Sequence, residues 1–500
     1  MLASVESASL LGVEGHSVRV EAHTSNGLPG YTIVGLPDTA CRESRDRVRS
    51  ALLSSGGPWP NRRTTVNLAP SGLRKVGAGL DLAMAVALAA AEEHVPVESV
   101  EGLAFLGELG LDGSLRPLLG MVPLAAACGG RPVVPAAVLA EARLVREDAL
   151  GASSLGEVLA ALRGDQPWPV VPEPSLQADR VVPPDLSDVL GQAVARAALE
   201  VAAAGGHHIL MSGPPGAGKT MLAERLPGIM PLLGDDDAME VTKIHSAAGR
   251  LGRGAGLVRV PPFRAPHHTA SMTAMVGGGS TMLRPGEVSL ASGGVLFLDE
   301  LGEFPAAHLD ALRQPLESGR IAVSRAAISV DLPARVLLVA ATNPCPCGQL
   351  GFGRCSCSEP QLARYRRRLS GPLMDRFDIR LGVGPPDPNT AFSSRRAECS
   401  AAVSERVLAA RIRASERGVT ANRSLRGEAL RRAAPLDPAA ESLLRDHLQR
   451  GLLTMRGADR CRSLALTLAD LRGQDAPLDR ELIGAALMLR GGETACAVPA

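Results

Sequence analysis

The run from Gly213 to Thr220 reads Gly213, Pro214, Pro215, Gly216, Ala217, Gly218, Lys219, Thr220. It fits the phosphate-loop pattern G-x-x-x-x-G-K-[ST], and the residue types have physical reasons. The glycines let backbone N–H groups turn inward around phosphate oxygens. Lys219 brings a positive charge to the β- and γ-phosphates, and the Thr220 hydroxyl is a ligand for Mg²⁺. The flanks agree. An apolar strand is expected over His208 to Met211, and a helix over Met221 to Leu226 aims its positive end at the anion.

Asp299 lies 80 residues beyond Lys219, at the end of the apolar run Val295 to Leu298, and Glu300 follows it. Carboxylates at the carboxyl edge of a parallel sheet stand where ligands bind in open α/β folds. Asp299 is the Mg²⁺ partner, directly or through water, and Glu300 the base that orients an attacking water. A third apolar run, Val336 to Ala341, leads to Asn343, whose amide can hold that water near the γ-phosphate; otherwise it is a turn former before Pro344. Cys345, Cys347, Cys355 and Cys357 form C-x-C-x₇-C-x-C. Four thiolates so close can make a tetrahedral, structural Zn²⁺ site, the alternative being a reduced thiol loop held by local packing. The pair His267 and His268 lines a channel or simply hydrogen-bonds within a loop. Arg364 to Arg368 is a solvated helix face or a contact for phosphates or a neighbouring subunit.

These groups need a scaffold. The chain has 500 residues, 45% hydrophobic and 21% charged, enough for several domains. The Pro-rich segment 164–186 reads as a linker. Before it, 1–163 mixes short strands (17–22, 31–34, 64–68, 103–109) with a buried Ala/Leu-rich helix over 80–91, an α+β pattern. After it, 187–388 alternates helices with fully apolar strands, as a parallel sheet covered on both faces does. The remainder, 389–500, has helical periodicity over 401–417, 438–449, 458–471 and 479–489.

The phosphate loop, the Asp-Glu strand, the strand ending in Asn343 and the run Gly371-Pro-Leu-Met-Asp-Arg376-Phe-Asp378 together resemble an AAA+ ATPase module. The resemblance implies that Arg376 is an arginine finger serving the neighbouring subunit's nucleotide, which requires a ring. It also implies that Gln192 lines the adenine pocket and that Arg456 is the sensor arginine of a helical lid. Longer runs narrow the match. Phe263-Arg-Ala-Pro-His-His-Thr, Arg284-Pro-Gly-Glu-Val-Ser-Leu, Glu317-Ser-Gly-Arg-Ile-Ala-Val-Ser-Arg325, Asn343-Pro-Cys-Pro-Cys-Gly and Ile33-Val-Gly-Leu-Pro-Asp38 are similar to the magnesium-chelatase-like YifB/ComM family.

That family implies an N-terminal domain like the Lon protease domain (ribosomal S5 domain 2-like), an AAA+ P-loop core and an α-helical C-terminal lid. It implies a hexamer using ATP and Mg²⁺ on single-stranded or branched DNA, in recombination or natural transformation, with recombination proteins as partners of the first domain. Arg320 and Arg325, on an expected hairpin, are the DNA-contact candidates. The chain departs from the family at Gly77-Ala-Gly-Leu-Asp81 and lacks one arginine after Arg460. A Lon-type protease would need a Ser-Lys dyad. The turn Gly77-Ala-Gly79 offers no hydroxyl, the stretch Leu118 to Leu124 just after Arg116-Pro117 holds no lysine, and Lys75 is far along the chain, so proteolysis is excluded.

Composition limits the rest. Net charge is +1, so nucleic-acid contact requires a local patch. No run of 18 apolar residues predicts a membrane span, and the N-terminal residues lack a secretory pattern, so the cytoplasm is expected. Two rivals stand beside the DNA motor. One is the ATPase subunit of a metal chelatase acting on a porphyrin, against which the first domain argues. The other is a regulatory scaffold that uses ATP only to assemble.

Overall fold

A computed structural model describes residues 1–172, 182–252, 254–279, 283–325, 328–351, 353, 355–368, 371–385 and 397–491. The expected boundary at 388/389 and the Arg325 side chain fall outside the described part. Among the described residues, no helix is long and apolar enough to cross a membrane.

The first region is built on a mixed sheet. Its strands are β1 (Leu2–Leu11), β2 (Glu14–Ser25), β3 (Gly30–Val34), β4 (Arg63–Ala69), β5 (Leu103–Phe105), β8 (Arg131–Pro135) and β9 (Leu150–Ala152), in the order β3-β4-β2-β1-β5-β8-β9. The expected strand over 103–109 is divided. β5 stops at Phe105, and β6 (Glu108–Leu109) pairs instead with β7 (Leu115–Arg116) in a small hairpin. Helix Asp81–Ala91 is buried along its whole length, as its Ala/Leu composition requires. β1 escapes a sequence reading because much of its buried surface is small: Ala3, Ser7, Ala8 and Ser9 are all buried.

The second region carries a five-stranded parallel sheet. Its strands are β10 (Ile209–Ser212), β11 (Phe263–Arg264), β12 (Val295–Leu298), β15 (Leu337–Thr342) and β16 (Ile379–Gly382), in the order β11-β12-β15-β10-β16. Every residue of β10, β12 and β15 is buried, which explains why they are apolar throughout but for Ser212 and Thr342 at the cleft end. Between β12 and β15 the antiparallel hairpin β13 (Arg320–Arg325) and β14 (Ile328–Pro333) stands apart from the sheet, as expected. It is not a free arm: a Cβ placed on Gly12 would be 2.6 Å from Val330 Cγ1, so the middle of its second strand packs on the β1–β2 turn. The two regions also meet where helix Met121–Ala126 lies against helix Asp235–Ala247. There the Val122 amide donates to Ser246 Oγ at 3.2 Å, and Ser246 Oγ donates to Glu141 Oε2 at 2.9 Å.

The third region is helical: Ser400–Glu416, Gly427–Ala433, Pro438–Gln449, Met455–Arg472 and Arg480–Leu489. Four of these match the expected spans, and Gly427–Ala433 adds a short fifth. The region is bound to the sheet through Asp378. That carboxylate accepts from the His208 amide at 3.1 Å and from Arg423 Nε at 2.7 Å, with Arg460 at 3.5 Å and His207 at 3.9 Å. His207 Nε2 reaches Thr467 Oγ1 at 2.8 Å on the opposite helix.

Candidate functional site

The carboxyl ends of β10, β12 and β15 open into one cleft of about 420 Å³. Pro215 to Met221, Asp299, Glu300, Thr342 and Asn343 line it. The loop enters it from β10 through Gly213, where a Cβ would stand 2.0 Å from the Val383 carbonyl oxygen, so only glycine fits. The helix after the loop begins at Lys219, two residues before the expected start.

Lys219 Nζ donates to the Gly213 and Pro214 carbonyls at 2.7 and 3.0 Å and to Asn343 Oδ1 at 3.4 Å. Burial lowers its pKa, with Asp299 and Glu300 opposing that shift. It is a partly desolvated cation at the cleft floor without a close carboxylate partner, as a phosphate site needs. Thr220 Oγ1 donates to Asp299 Oδ2 at 2.8 Å, so the hydroxyl and carboxylate stand at one point. This oxygen pair fits a Mg²⁺ site, where the ion would be held directly or through water.

Glu300 has φ of 50°, a left-handed conformation that costs energy outside glycine. The cost is offset locally, because the Glu300 amide donates to Asp299 Oδ1 at 2.9 Å. His268 Nδ1 stands 3.4 Å from Glu300 Oε2, and the His268 ring meets Phe304 edge-on. His267 follows the plainer reading and bonds within its loop to Thr269 Oγ1 at 2.8 Å.

Other expected residues lie elsewhere. Gln192 Nε2 donates to the Gly384 and Ala217 carbonyls at 2.8 and 3.4 Å, bracing the phosphate loop against the chain after β16. Arg376 and Arg456 do not line the cleft of their own chain. Arg376 pairs with Glu317 at 2.5 Å, and Arg456 is exposed at the start of helix Met455–Arg472. Arg320 is exposed at the hairpin base. In the basic run Tyr365 is the exception: it is buried, donates to the Asn343 carbonyl at 2.9 Å and meets Thr342 Oγ1 at 2.8 Å. Arg368 pairs with Glu303 at 3.2 Å.

Cys345, Cys347, Cys355 and Cys357 converge, all four sulfurs lying within 4.8 Å of one another. Sequence reasoning missed His268 and Tyr365 as neighbours of the site. The first carried no signal beyond a histidine pair, and the second was hidden among arginines.

In the first region Lys75 is fully buried and its ammonium donates to the Pro70 carbonyl. It is a structural group there, joining the β4 end to the chain that follows.

The parallel sheet, phosphate loop, Asp-Glu strand end and helical C-terminal region define a P-loop ATPase of the AAA+ and magnesium-chelatase class. Family models agree along most of the chain. Residues 185–390 match "Magnesium chelatase, subunit ChlI", 20–137 match "Subunit ChlI of Mg-chelatase", and 397–490 match "Magnesium chelatase, subunit ChlI C-terminal". The chain belongs to the YifB/ComM family of magnesium-chelatase-like proteins. It is 45% identical to an uncharacterized protein of Mycobacterium tuberculosis, over 97% of each chain. It is 42% identical to the uncharacterized protein YifB of Escherichia coli, over 95% of this chain and 94% of that one. It is 41% identical to the competence protein ComM of Haemophilus influenzae, over 98% of each. A partial likeness, 25% identity over 172 residues, reaches the minichromosome maintenance protein MCM of Saccharolobus solfataricus, covering 34% of this chain and 21% of that one.

Proposed function

We propose that the chain is a hexameric, Mg²⁺-dependent ATPase ring that moves DNA, specifically a motor for branch migration in recombination or natural transformation. The observation that carries the ATPase part is the convergence of Lys219, the Thr220–Asp299 pair, Glu300 and Asn343 on one cleft. In this reading Lys219 holds the β- and γ-phosphates, and Glu300 takes the proton of an attacking water that Asn343 holds in line. Mg²⁺ supplies charge neutralisation at the phosphates when bound. Arg376 completes the site of the neighbouring subunit, which accords with its absence from the lining of its own cleft. Gln192 borders the adenine, and Arg456 acts from the lid across a subunit boundary.

The DNA part rests on two relatives, a competence protein and a minichromosome maintenance protein. The hairpin would present Arg320 and Arg325 to the strand. The first region, read as a Lon-like domain without protease chemistry, would dock partner proteins. The workplace is the cytoplasm.

One rival keeps a specific observation in its favour. All three family models carry the description of a magnesium chelatase subunit, and one of them covers the first region. That region therefore does not separate the readings. ATP hydrolysis measured with and without single-stranded and four-way branched DNA does. Stimulation by DNA and ATP-dependent displacement of the branch support the motor. Turnover indifferent to DNA overturns it and leaves the chelatase subunit or the ATP-assembled scaffold.

A further inference from the structure

We infer that Cys345, Cys347, Cys355 and Cys357 hold one Zn²⁺ ion, and that this ion fastens two walls of the nucleotide cleft, Asn343 and Pro215. The second half rests on the ATPase reading above; the first does not.

The sulfur geometry comes first. Cys345 Sγ is 3.4 Å from Cys347 Sγ and 3.7 Å from Cys355 Sγ, and Cys347 and Cys355 are 3.6 Å apart. A disulfide needs about 2.05 Å, so these sulfurs are not bonded. A tetrahedral ion with metal–sulfur bonds of about 2.3 Å needs sulfurs about 3.8 Å apart. An iron–sulfur cluster interposes several irons and sulfides and would spread its ligands further. Soft thiolates in a closed set of four select Zn²⁺ over hard cations. Binding replaces four S–H bonds by four Zn–S bonds and releases the thiol protons to solvent. The doubly negative site that results is tempered by the Leu350 amide, which donates to Cys345 Sγ at 3.4 Å.

The position of the cluster gives it a task. Cys345 is fully buried two residues beyond Asn343, which itself follows the end of β15. The Gly348 amide donates to the Cys345 carbonyl at 2.9 Å. A Cβ on Gly348 would stand 2.6 Å from Pro215 Cδ, so this loop lies directly on the phosphate loop. On its other side, Cys355 and Cys357 lead into helix Glu359–Arg368, whose Tyr365 bonds the Asn343 carbonyl. One ion thus ties the end of β15, the cover of the phosphate loop and the helix that holds Asn343. Between Asn343 and that helix, the described residues form no helix or strand, so a crosslink replaces the regular hydrogen bonding that would otherwise order them.

The test uses the full-length protein purified without chelators. Elemental analysis should find about one zinc per chain. Exchange for Co²⁺ under anaerobic conditions should produce thiolate-to-cobalt charge-transfer absorption, lost in the double variant Cys347→Ser, Cys355→Ser. Protein free of metal, without a cobalt band, and with the four cysteines titrating as free thiols or as disulfides overturns the site. For the second half, stripping zinc should lower kcat for ATP by roughly tenfold or more, and added Zn²⁺ should restore it. Gly348→Ala should keep its zinc yet lose turnover, because its new methyl presses on Pro215. Zinc-stripped protein with unaltered kcat overturns the fastening role. If no preparation hydrolyses ATP, the affinity for ADP reads the same walls: weaker binding after stripping supports the role, and unchanged binding overturns it.

Discussion

Arg376 is held by Glu317 at 2.5 Å, one arm of the pair on the loop before β16 and the other on helix Arg313–Ser318, three residues before the hairpin strand β13 begins. The guanidinium is largely buried, with 15% of its side chain exposed. The arginine proposed to serve a neighbour's phosphates is therefore tied, within one subunit, to the foot of the proposed DNA hairpin. Exchange of Glu317 for a γ-phosphate would link the neighbour's nucleotide state to that hairpin.

Trans action makes the sharpest prediction. Arg376→Ala should bind nucleotide almost normally and lose about 10³-fold or more in turnover. Mixed with Glu300→Gln subunits, it should regain part of the hydrolysis. An intact Arg376 then faces an intact Glu300 at interfaces of one order. Mixed rings confirmed by native mass measurement, yet inactive with isolated sites known to turn over, would place both residues in one subunit's site.

The cleft floor predicts a division of labour. Lys219→Ala removes charged hydrogen bonds to phosphate and should weaken ATP binding by roughly 10- to 100-fold. Asp299→Asn should instead raise the Mg²⁺ needed for half-maximal turnover by about 10- to 100-fold, with milder effect on metal-free nucleotide binding. Titrations of a fluorescent nucleotide with and without Mg²⁺ separate the two. Equal losses in both conditions for Asp299→Asn would detach that carboxylate from the metal.

His268 is predicted to be a positioning residue. It stands 3.4 Å from Glu300, whose backbone is already held left-handed. His268→Ala should lower kcat by about tenfold and leave the Kd for ATP unchanged. Its effect should disappear in a Glu300→Gln background, since a residue acting through Glu300 has nothing left to orient. Additive losses in the double variant would give His268 a role of its own.

Acid should loosen the C-terminal helical region. Burial pushes the His207 pKa down to about 4, against the attraction of Asp378. Burial alone would raise Asp378, but Arg423, His207, His208 and Arg460 outweigh it and hold the carboxyl at about 2. Both groups bind protons more readily unfolded, so stability is complete above about pH 6.5 and falls with acid. The histidine part is lost between about 6.5 and 4 and the carboxylate part between about 4 and 2. Thermal melting followed from pH 8 to 3 should show the loss beginning near 6.5. A melting temperature flat down to pH 4 would remove His207 from the account.

The phosphate loop, the acidic pair after β12 and the parallel-sheet class were legible because their chemistry is local. Gly213 to Thr220 needs its residue types in one short order, and strands buried on both faces must be apolar throughout. The hairpin and four C-terminal helices were equally legible, since periodicity is a property of a short segment. Asp378 was not. In the run Gly371 to Asp378 nothing local says that Phe377 joins the core while Asp378 becomes the buried counter-ion of Arg423 and Arg460, 45 and 82 residues away. His268 beside Glu300, Tyr365 beneath Asn343 and Gly348 on Pro215 belong to the same kind. Each joins side chains that the chain holds far apart, and only the packing of β10, β12 and β15 side by side brings their loops together. The spacing of the cysteines permitted a metal or a plain thiol loop, and only the fold brings all four sulfurs within 4.8 Å of one another, the geometry on which the proposed zinc site rests.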